Sequence, residues 1–488
     1  MHELKTLILS FHSLIAVETV EEERVDLLIK AVASELQLKL YTWSITQGLV
    51  RHDTPKATVP RTNQPMGLLQ HLASLDEGIF LLKDLHPHLK DPTVVRQFRE
   101  VSQRFAQSHA SMVLTGPSLD LPPELDAEAV FYNLELPNRE ELYEALQAVV
   151  RSLNTKQEIK LDLEAADLGA VLQALQGLTL NQARQVIAYA ALTDNSLSKD
   201  DLAEIQARKI QFLQEGGLLE YFPAEDNASD IGGFQVLKDW LARAKLGFSS
   251  QAQSLNLSPP KGIMIVGVQG CGKSLSAKVT ARNWGLPLLK LDAGRLYDKY
   301  VGESERNFRK ATQTAESMAP VVLWIDEIEK SFAQGQSMDS GTSRRLFGSF
   351  LTWLQEKRAD VFVIATANDI SELPPELMRK GRFDEIFFVD LPNAESRATI
   401  FHIHLSRRKQ QPEQFDLPLL VEATAGFSGA EIEQAVVAGL YRSLHLDVSL
   451  NTAILQAEIS STVPLSISRK EDVARLRQMA AQRFVSVD

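Results

Sequence analysis

The chain is short of sulfur, of long apolar runs and of basic charge, and each shortage removes a class of function. Its single cysteine, Cys271, excludes an intramolecular disulfide and any site built from several thiolates, and it fits a reducing, cytosol-like compartment. No uncharged apolar stretch reaches the roughly 18 residues that read as a membrane span. Lys and Arg total 51 against 63 Asp and Glu, a net charge of −12, which opposes the long-range attraction used by nonspecific nucleic-acid binders. The opening MHELKTLILSFHSLIAVETV lacks a basic segment and a small-residue cleavage site, so it reads as a first helix and strand rather than a secretory signal. No HExxH sequence follows the later motifs, which argues against an attached zinc protease.

At 488 residues the chain exceeds what one core usually organises. It also resembles itself. LPPELMRKGRFDEIFFVDLPNAES from Leu373 has a counterpart in LPPELDAEAVFYNLELPNREE from Leu121, and AGFSGAEIEQAVVAGL from Ala425 echoes QGLTLNQARQVIAYAAL from Gln176. Two related modules are expected. In the first, apolar strands at Leu14 to Glu18, Leu40 to Ser44, Ile79 to Leu82 and Met112 to Thr115 alternate with amphipathic helices at Glu21 to Leu36 and Thr93 to Gln107, an α/β rhythm with a parallel sheet. Residues 1–140 are assigned to this α/β domain. Residues 141–225, rich in Leu, Ala, Glu and Gln, are assigned to a helical lid ending in the turn-forming linker YFPAEDNA, Tyr221 to Ala228. A second α/β domain over 226–393 and a second helical lid over 394–488 complete the expected layout.

The most specific motif is Gly267-Val268-Gln269-Gly270-Cys271-Gly272-Lys273-Ser274, placed between the apolar strand Gly262 to Val266 and a helix beginning near Leu275. Glycines let such a loop wrap a polyphosphate with its N–H groups turned inward, and the following helix adds partial positive charge. Lys273 is positioned to reach the β and γ phosphates, and Ser274 to ligate Mg²⁺. Further on, Val321 to Ile325 runs into Asp326-Glu327, two carboxylates at the end of a buried strand beside the loop. Asp326 is assigned to the Mg²⁺ shell. Glu327 is assigned to polarise the attacking water, because phosphoryl transfer is mostly positioning and charge stabilisation. ATP or ADP with Mg²⁺ is therefore the expected ligand, and an ATPase the expected activity.

On these motifs the part of the chain after Asp230 resembles AAA+ ATPases of the AAA clade. The resemblance implies a P-loop NTPase domain with a helical lid, preceded here by a degenerate module of the same kind, and assembly into a homo-hexamer that acts on a protein partner. It makes Asn368 the residue that orients the water, and Arg379 and Arg382 arginine fingers offered to a neighbouring subunit; the alternative is that both are surface residues paired with Asp384 or Glu385. It places Asp230, Ile231, Gly233 and His404 near the adenine, and Gly429-Ala430 where other clades carry a second sensor arginine. It also makes Tyr300-Val301-Gly302 a pore-lining loop able to grip extended polypeptide, against the plainer reading that Tyr300 caps a local apolar cluster. The two-module layout further resembles a cyanobacterial and plastid-encoded family known as hypothetical chloroplast reading frame forty-six. That resemblance implies a cytoplasmic or stromal location and a link to photosynthetic carbon uptake. A nucleotide-dependent assembly switch that threads nothing is the competing expectation.

The first module is marked by omissions. Where a phosphate loop should follow Leu14 to Val17, the chain reads Glu18-Thr19-Val20-Glu21-Glu22-Glu23, and its acidic strand end offers Lys83-Asp84 in place of two carboxylates. Such a module is expected to serve assembly, regulation or partner binding, with Asp84 at most a residual metal ligand. Cys271 is either a small packing residue or a thiol activated by the helix N-terminus, whose modification would crowd the phosphates.

Overall fold

A computed structural model describes residues 2–52, 58–155, 158–215, 217–223, 232–292, 303–332, 340–369, 373–379, 381–481 and 483–488. The chain divides into two compact units, Met1–Leu136 with Thr179–Asn181, and Pro137–Leu178 with Gln182–Asp488.

The strands of the first unit are β1 (Leu14–Glu18), β2 (Leu40–Ser44), β3 (Gly48–Arg51), β4 (Glu77–Lys83), β5 (His109–Gly116) and β6 (Val130–Phe131). They form one sheet in the order β3-β2-β4-β5-β1-β6, parallel except for the β2–β3 hairpin. Neighbouring residues of each strand enter opposite cores, as a sheet covered on both faces requires. Leu14 and Ala16 pack with Phe80, Leu82, Phe98 and Phe105, whereas Ile15 and Val17 pack with Ile29, Ile79 and Val113. The first helix, His2–Leu9, lies on the second face through Leu4 and Ile8.

Four helices, Arg139–Asn154, Ala165–Leu175, Leu180–Asp194 and Leu202–Glu215, follow, with a small parallel pair β7 (Lys160–Asp162) and β8 (Ser196–Ser198) between them. Asn138 caps the first of these by accepting the Glu140 and Glu141 N–H groups at 2.9 Å. Asn393 caps helix Ala394–Arg407 in the same way, through Ser396 N at 2.9 Å, so the repeated Pro-Asn pair is a helix start in both modules.

The large sheet of the second unit comprises β9 (Leu219–Phe222), β10 (Gly262–Gly267), β11 (Leu288–Leu291), β12 (Val321–Ile325), β13 (Val361–Ala367), β14 (Glu385–Val389) and β15 (Val485–Ser486), in the order β15-β14-β10-β13-β12-β11-β9. All its pairings are parallel except β9 on β11, so Tyr221 and Phe222, expected in a linker, instead extend the sheet edge. Helices Glu303–Ser317 and Ser340–Glu356 cover one face around Phe308 and Phe350; Gln235–Lys245 and Lys273–Trp284 cover the other around Leu241 and Ala277. Burying each large apolar side chain stabilises such a layer by about 1.5–3 kcal/mol. Beyond β14, helices Ala394–Arg407, Leu417–Ala423, Gly429–His445 and Thr452–Ser461 pack around Phe401, Phe427 and Leu455. Among the described residues no helix is long and apolar enough to cross a membrane.

The central orders coincide. With the hairpin strand β3 and the edge strands β9 and β15 set aside, β6-β1-β5-β4-β2 in the first unit and β14-β10-β13-β12-β11 in the second follow the same order in the chain. The internal similarity is therefore a similarity of topology.

Candidate active site

The glycine-rich loop occupies the turn between β10 and helix Lys273–Trp284. Gly267 has φ 152°, and a Cβ there would stand 2.0 Å from the Val389 carbonyl oxygen on β14, so only glycine lets the loop leave the sheet at this point. Gly272, at φ 91°, turns the chain into the helix. Lys273 is buried, and its Nζ donates to the carbonyls of Gly267 and Val268, both at 2.9 Å; burial brings its pKa down to about 8. The lid reaches the same loop, since Ala430 N donates to Gly270 O at 2.9 Å.

Ser274 and Asp326 meet. Ser274 Oγ donates to Asp326 Oδ1 at 3.0 Å, and Thr366 Oγ1, on β13, donates to the same oxygen at 2.6 Å. Lys290 Nζ stands 4.0 Å from the other carboxylate oxygen. A hydroxyl beside a carboxylate is an oxygen donor set of the kind Mg²⁺ takes. No group of three His, Cys, Asp or Glu side chains able to hold a metal occurs among the described residues; a cation at Ser274 and Asp326 would complete its shell with water and phosphate oxygens.

Glu327 follows at φ 49°, its N–H held by Thr366 Oγ1 at 3.1 Å. A left-handed backbone at a side chain of this size costs about 1–3 kcal/mol and turns the carboxylate out of the strand. Asn368 Nδ2 donates to Glu327 Oε1 at 2.9 Å, and Lys330 pairs with the other oxygen. The residues expected to place and activate a water are thus joined directly.

On the far side of the loop a cleft of ≈ 290 Å³ is lined by Gly232, Phe234, Leu275, Ile400, His404 and Ala430, together with Cys271, Gly429 and Asp488. Gly233, at φ 78°, abuts it: a Cβ there would meet Ser396 Oγ at 2.5 Å. Burial lowers the His404 pKa, despite Glu433 Oε1 at 3.5 Å, leaving a neutral imidazole on the cleft wall near pH 7. Asp230 and Ile231, and the expected pore loop Tyr300-Val301-Gly302, lie outside the described residues.

Arg379 is exposed and Arg382 half-buried, and neither forms an ion pair among the described residues. The expected alternative partners are otherwise engaged: Asp384 Oδ2 accepts Gly262 N at 2.8 Å, and Glu385 Oε1 accepts Ile386 N at 3.2 Å. The Nη1 of Arg382 is shielded and has no hydrogen-bond partner among the described residues.

The two readings of Cys271 separate here. The Cys271 thiol is not activated by the helix N-terminus: burial pushes its pKa up to about 12, so it stays protonated at physiological pH and behaves as a small packing residue. Two site residues had no motif to mark them. Thr366 looks like any other polar residue in an apolar strand, and Glu329 follows Ile328 one step past the acidic pair; Glu329 Oε1 accepts Asn368 N at 2.9 Å.

The sequence is 34% identical to the AAA domain-containing protein ycf46 of Trieres chinensis, over 98% of this chain and 96% of that one, and 35% identical to ycf46 of Pyropia yezoensis over 98% and 97%. The chain belongs to the ycf46 family of AAA ATPases. Residues 263–391 match the model of the ATPase family associated with various cellular activities; 1–134 match the SpoVK-like AAA ATPase N-terminal domain and 140–216 its second domain. This AAA protein is an ATPase. It is also similar to a Cell division cycle protein 48 homolog of Archaeoglobus fulgidus, at 29% over 65% of this chain and 45% of that one, and to the Proteasome-activating nucleotidase of Pyrococcus abyssi, at 32% over 44% and 56%.

The N-terminal AAA-like unit keeps the strand-end geometry of this site, shortens its loop and inverts its charges. Lys83 pairs with Thr115 across β4 and β5, as Asp326, one residue past the last β12–β13 pair, meets Thr366 through its side chain. Asp84 then adopts φ 50°, matching Glu327. Here the strand end carries the cation and the helix start the carboxylates: Lys83 Nζ lies 2.7 Å from both Glu22 Oε1 and Asp26 Oδ2. Burial works against the charge on Lys83, but those two carboxylates raise its pKa above the ordinary value. Pro117 stands where Asn368 would, without a side-chain amide. Titration of the full chain with ADP and Mg²⁺ should accordingly give one bound nucleotide per chain; a second equivalent would contradict this account of the N-terminal unit.

Proposed function

We propose that this AAA ATPase assembles into a ring, with a hexamer as the expected size, and uses ATP hydrolysis to remodel or thread a protein partner gripped by the Tyr300-Val301-Gly302 loop. The carrying observation is the pair Arg379 and Arg382, two guanidinium groups without ion-pair partners among the described residues, on the segment that leads into β14. They are supplied to the nucleotide of an adjacent copy. Exposed apolar side chains of the ATPase unit support the same reading. Leu246, Leu255 and Leu257 lie before β10, and Tyr441, Leu444, Leu446 and Val448 lie on and after the lid helix. Two unlike surfaces on one chain suit the head-to-tail contact that closes a ring.

In this reading the loop from Gly267 through Val268, Gln269, Gly270, Cys271 and Gly272 to Leu275 cradles the phosphates, with Lys273 on the β and γ groups. Ser274 and Asp326 would hold Mg²⁺, which when bound neutralises charge on the phosphate oxygens. Glu327 polarises the water, Asn368 orients it, and the purine occupies the cleft beside Asp230, Ile231, Gly233, His404, Gly429 and Ala430. The names of the relatives, a Cell division cycle protein 48 homolog and a Proteasome-activating nucleotidase, favour a protein rather than a nucleic acid as partner. The ycf46 resemblance connects the proposal to the cytoplasm or plastid stroma and to photosynthetic carbon uptake.

The test is ATP hydrolysis per chain as a function of protein concentration, with oligomeric state recorded alongside, for wild type and Tyr300→Ala. Specific activity should rise cooperatively with assembly, and Tyr300→Ala should assemble and hydrolyse ATP while losing remodelling of its partner. Equal activity from a monomer rules out the ring. Full remodelling by Tyr300→Ala would make the chain a nucleotide-dependent assembly switch.

A further inference from the structure

Glu329 is 5% exposed, an unusual position for a carboxylate unless something holds it there. Its Oε1 accepts the Asn368 main-chain N–H at 2.9 Å, while its Oε2 is buried without a hydrogen-bond partner among the described residues. A carboxyl oxygen left unsatisfied in the interior is destabilising, so the side chain is kept at the expense of stability. Burial raises its pKa, and the nearby Glu327 charge pushes the same way, against the Asn368 N–H and Lys273.

What Glu329 touches explains its place. The main chain it grips belongs to Asn368, whose Nδ2 in turn donates to Glu327 Oε1 at 2.9 Å. Asn368 stands immediately after β13, where the ladder to β12 has ended, so no strand pairing fixes its N–H. Glu329, reaching across from the start of helix Ile328–Phe332, supplies that missing bond. The chain Glu329 to Asn368 N–H, then Asn368 amide to Glu327, ties the end of β13 to the end of β12 through side chains.

We propose that Glu329 is a positioning residue of the ATPase: it fixes the backbone of Asn368 so that the Asn368 amide holds the Glu327 carboxylate in its working orientation. The proposal rests on the reading of Glu327 and Asn368 given above. Glu329 acts through Asn368 rather than on the nucleotide or the water itself. Its effect is on the rate of hydrolysis and not on binding, because none of the three side chains lines the cleft assigned to the purine.

The experiment uses the full chain, the single variants Glu329→Ala, Glu329→Asp, Glu329→Gln and Asn368→Ala, and the Glu329→Ala/Asn368→Ala double variant, with kcat for ATP measured beside the Kd of a fluorescent ADP. Loss of positioning is expected to lower kcat by about tenfold to hundredfold for Glu329→Ala and for the shortened Glu329→Asp, with Kd nearly unchanged. Glu329→Gln, which keeps an oxygen acceptor at the same reach, should recover most of that loss. Combining Glu329→Ala with Asn368→Ala should be no worse than Asn368→Ala alone to within about twofold, the mark of residues acting through one another. Should Glu329→Ala not fold, Glu329→Asp carries the comparison. Wild-type kcat in Glu329→Asp, or losses that multiply in the double variant, would overturn the assignment while leaving the ATPase site intact. A silent Asn368→Ala would overturn both.

Discussion

Replacing Arg379 with alanine should lower ATP turnover of the assembled chain by roughly 10³–10⁵-fold, the contribution of an arginine finger in phosphoryl-transfer systems. The size follows from where the charge acts. Arg379 is exposed, has no ion-pair partner among the described residues and is not among the residues lining its own nucleotide cleft. Nucleotide affinity should therefore hold while hydrolysis falls. Phosphate release and fluorescent-ADP binding, measured on the same samples, separate the two. Mixing Arg379→Ala with Glu327→Gln gives a sharper check, because a chain lacking the base still offers its Arg379 to a neighbour that has one. Partial recovery of turnover in the mixture is expected, and a mixture as inactive as its components would dismiss a finger acting between chains.

Glu327→Gln should reduce turnover by about 10²–10⁴-fold, the usual contribution of a positioned general base. The substitution preserves shape and leaves an oxygen able to accept the Asn368 amide, so the hydrogen bond at Glu327 Oε1 persists while the negative charge goes. ADP binding should be unaffected. Turnover within a few-fold of wild type would remove Glu327 from the reaction and leave Asp326 and Thr366 to be reconsidered.

How far these residues were legible in the sequence depends on the kind of signal each leaves. Gly267 to Ser274 and Asp326-Glu327 are legible because the chemistry demands rare combinations at fixed spacing after apolar strands. The central strands are legible for a related reason: β1 and β2 are expected with their observed limits, since mostly buried apolar runs interrupt a polar chain sharply. The edge strands are not. β6 and β15 are two residues each, and β9 carries a Tyr-Phe pair followed by Pro223, which reads as a turn until the β11 partner is known. Thr366 and Glu329 escape for another reason. Their roles depend on which strand end faces which, a property of register across residues some forty apart, and no local pattern reports it. For Cys271 the sequence left two readings open, and burial, which no local rule about helix N-termini reports, decides for the packing residue.

The charge reversal in the N-terminal unit means that no single substitution would give it the phosphate site built after β10. Restoring a carboxylate at Lys83 would set it against Glu22 and Asp26 without a cation between them, and the module would lose stability before it gained a ligand. Backbone length raises a second barrier. Only Thr19, Val20 and Glu21 separate β1 from its helix, against Val268 to Gly272 in the working site, so the phosphate cradle cannot return without an insertion. The unit would need both an insertion and several charge changes before it could take the phosphates that the loop after β10 is built for.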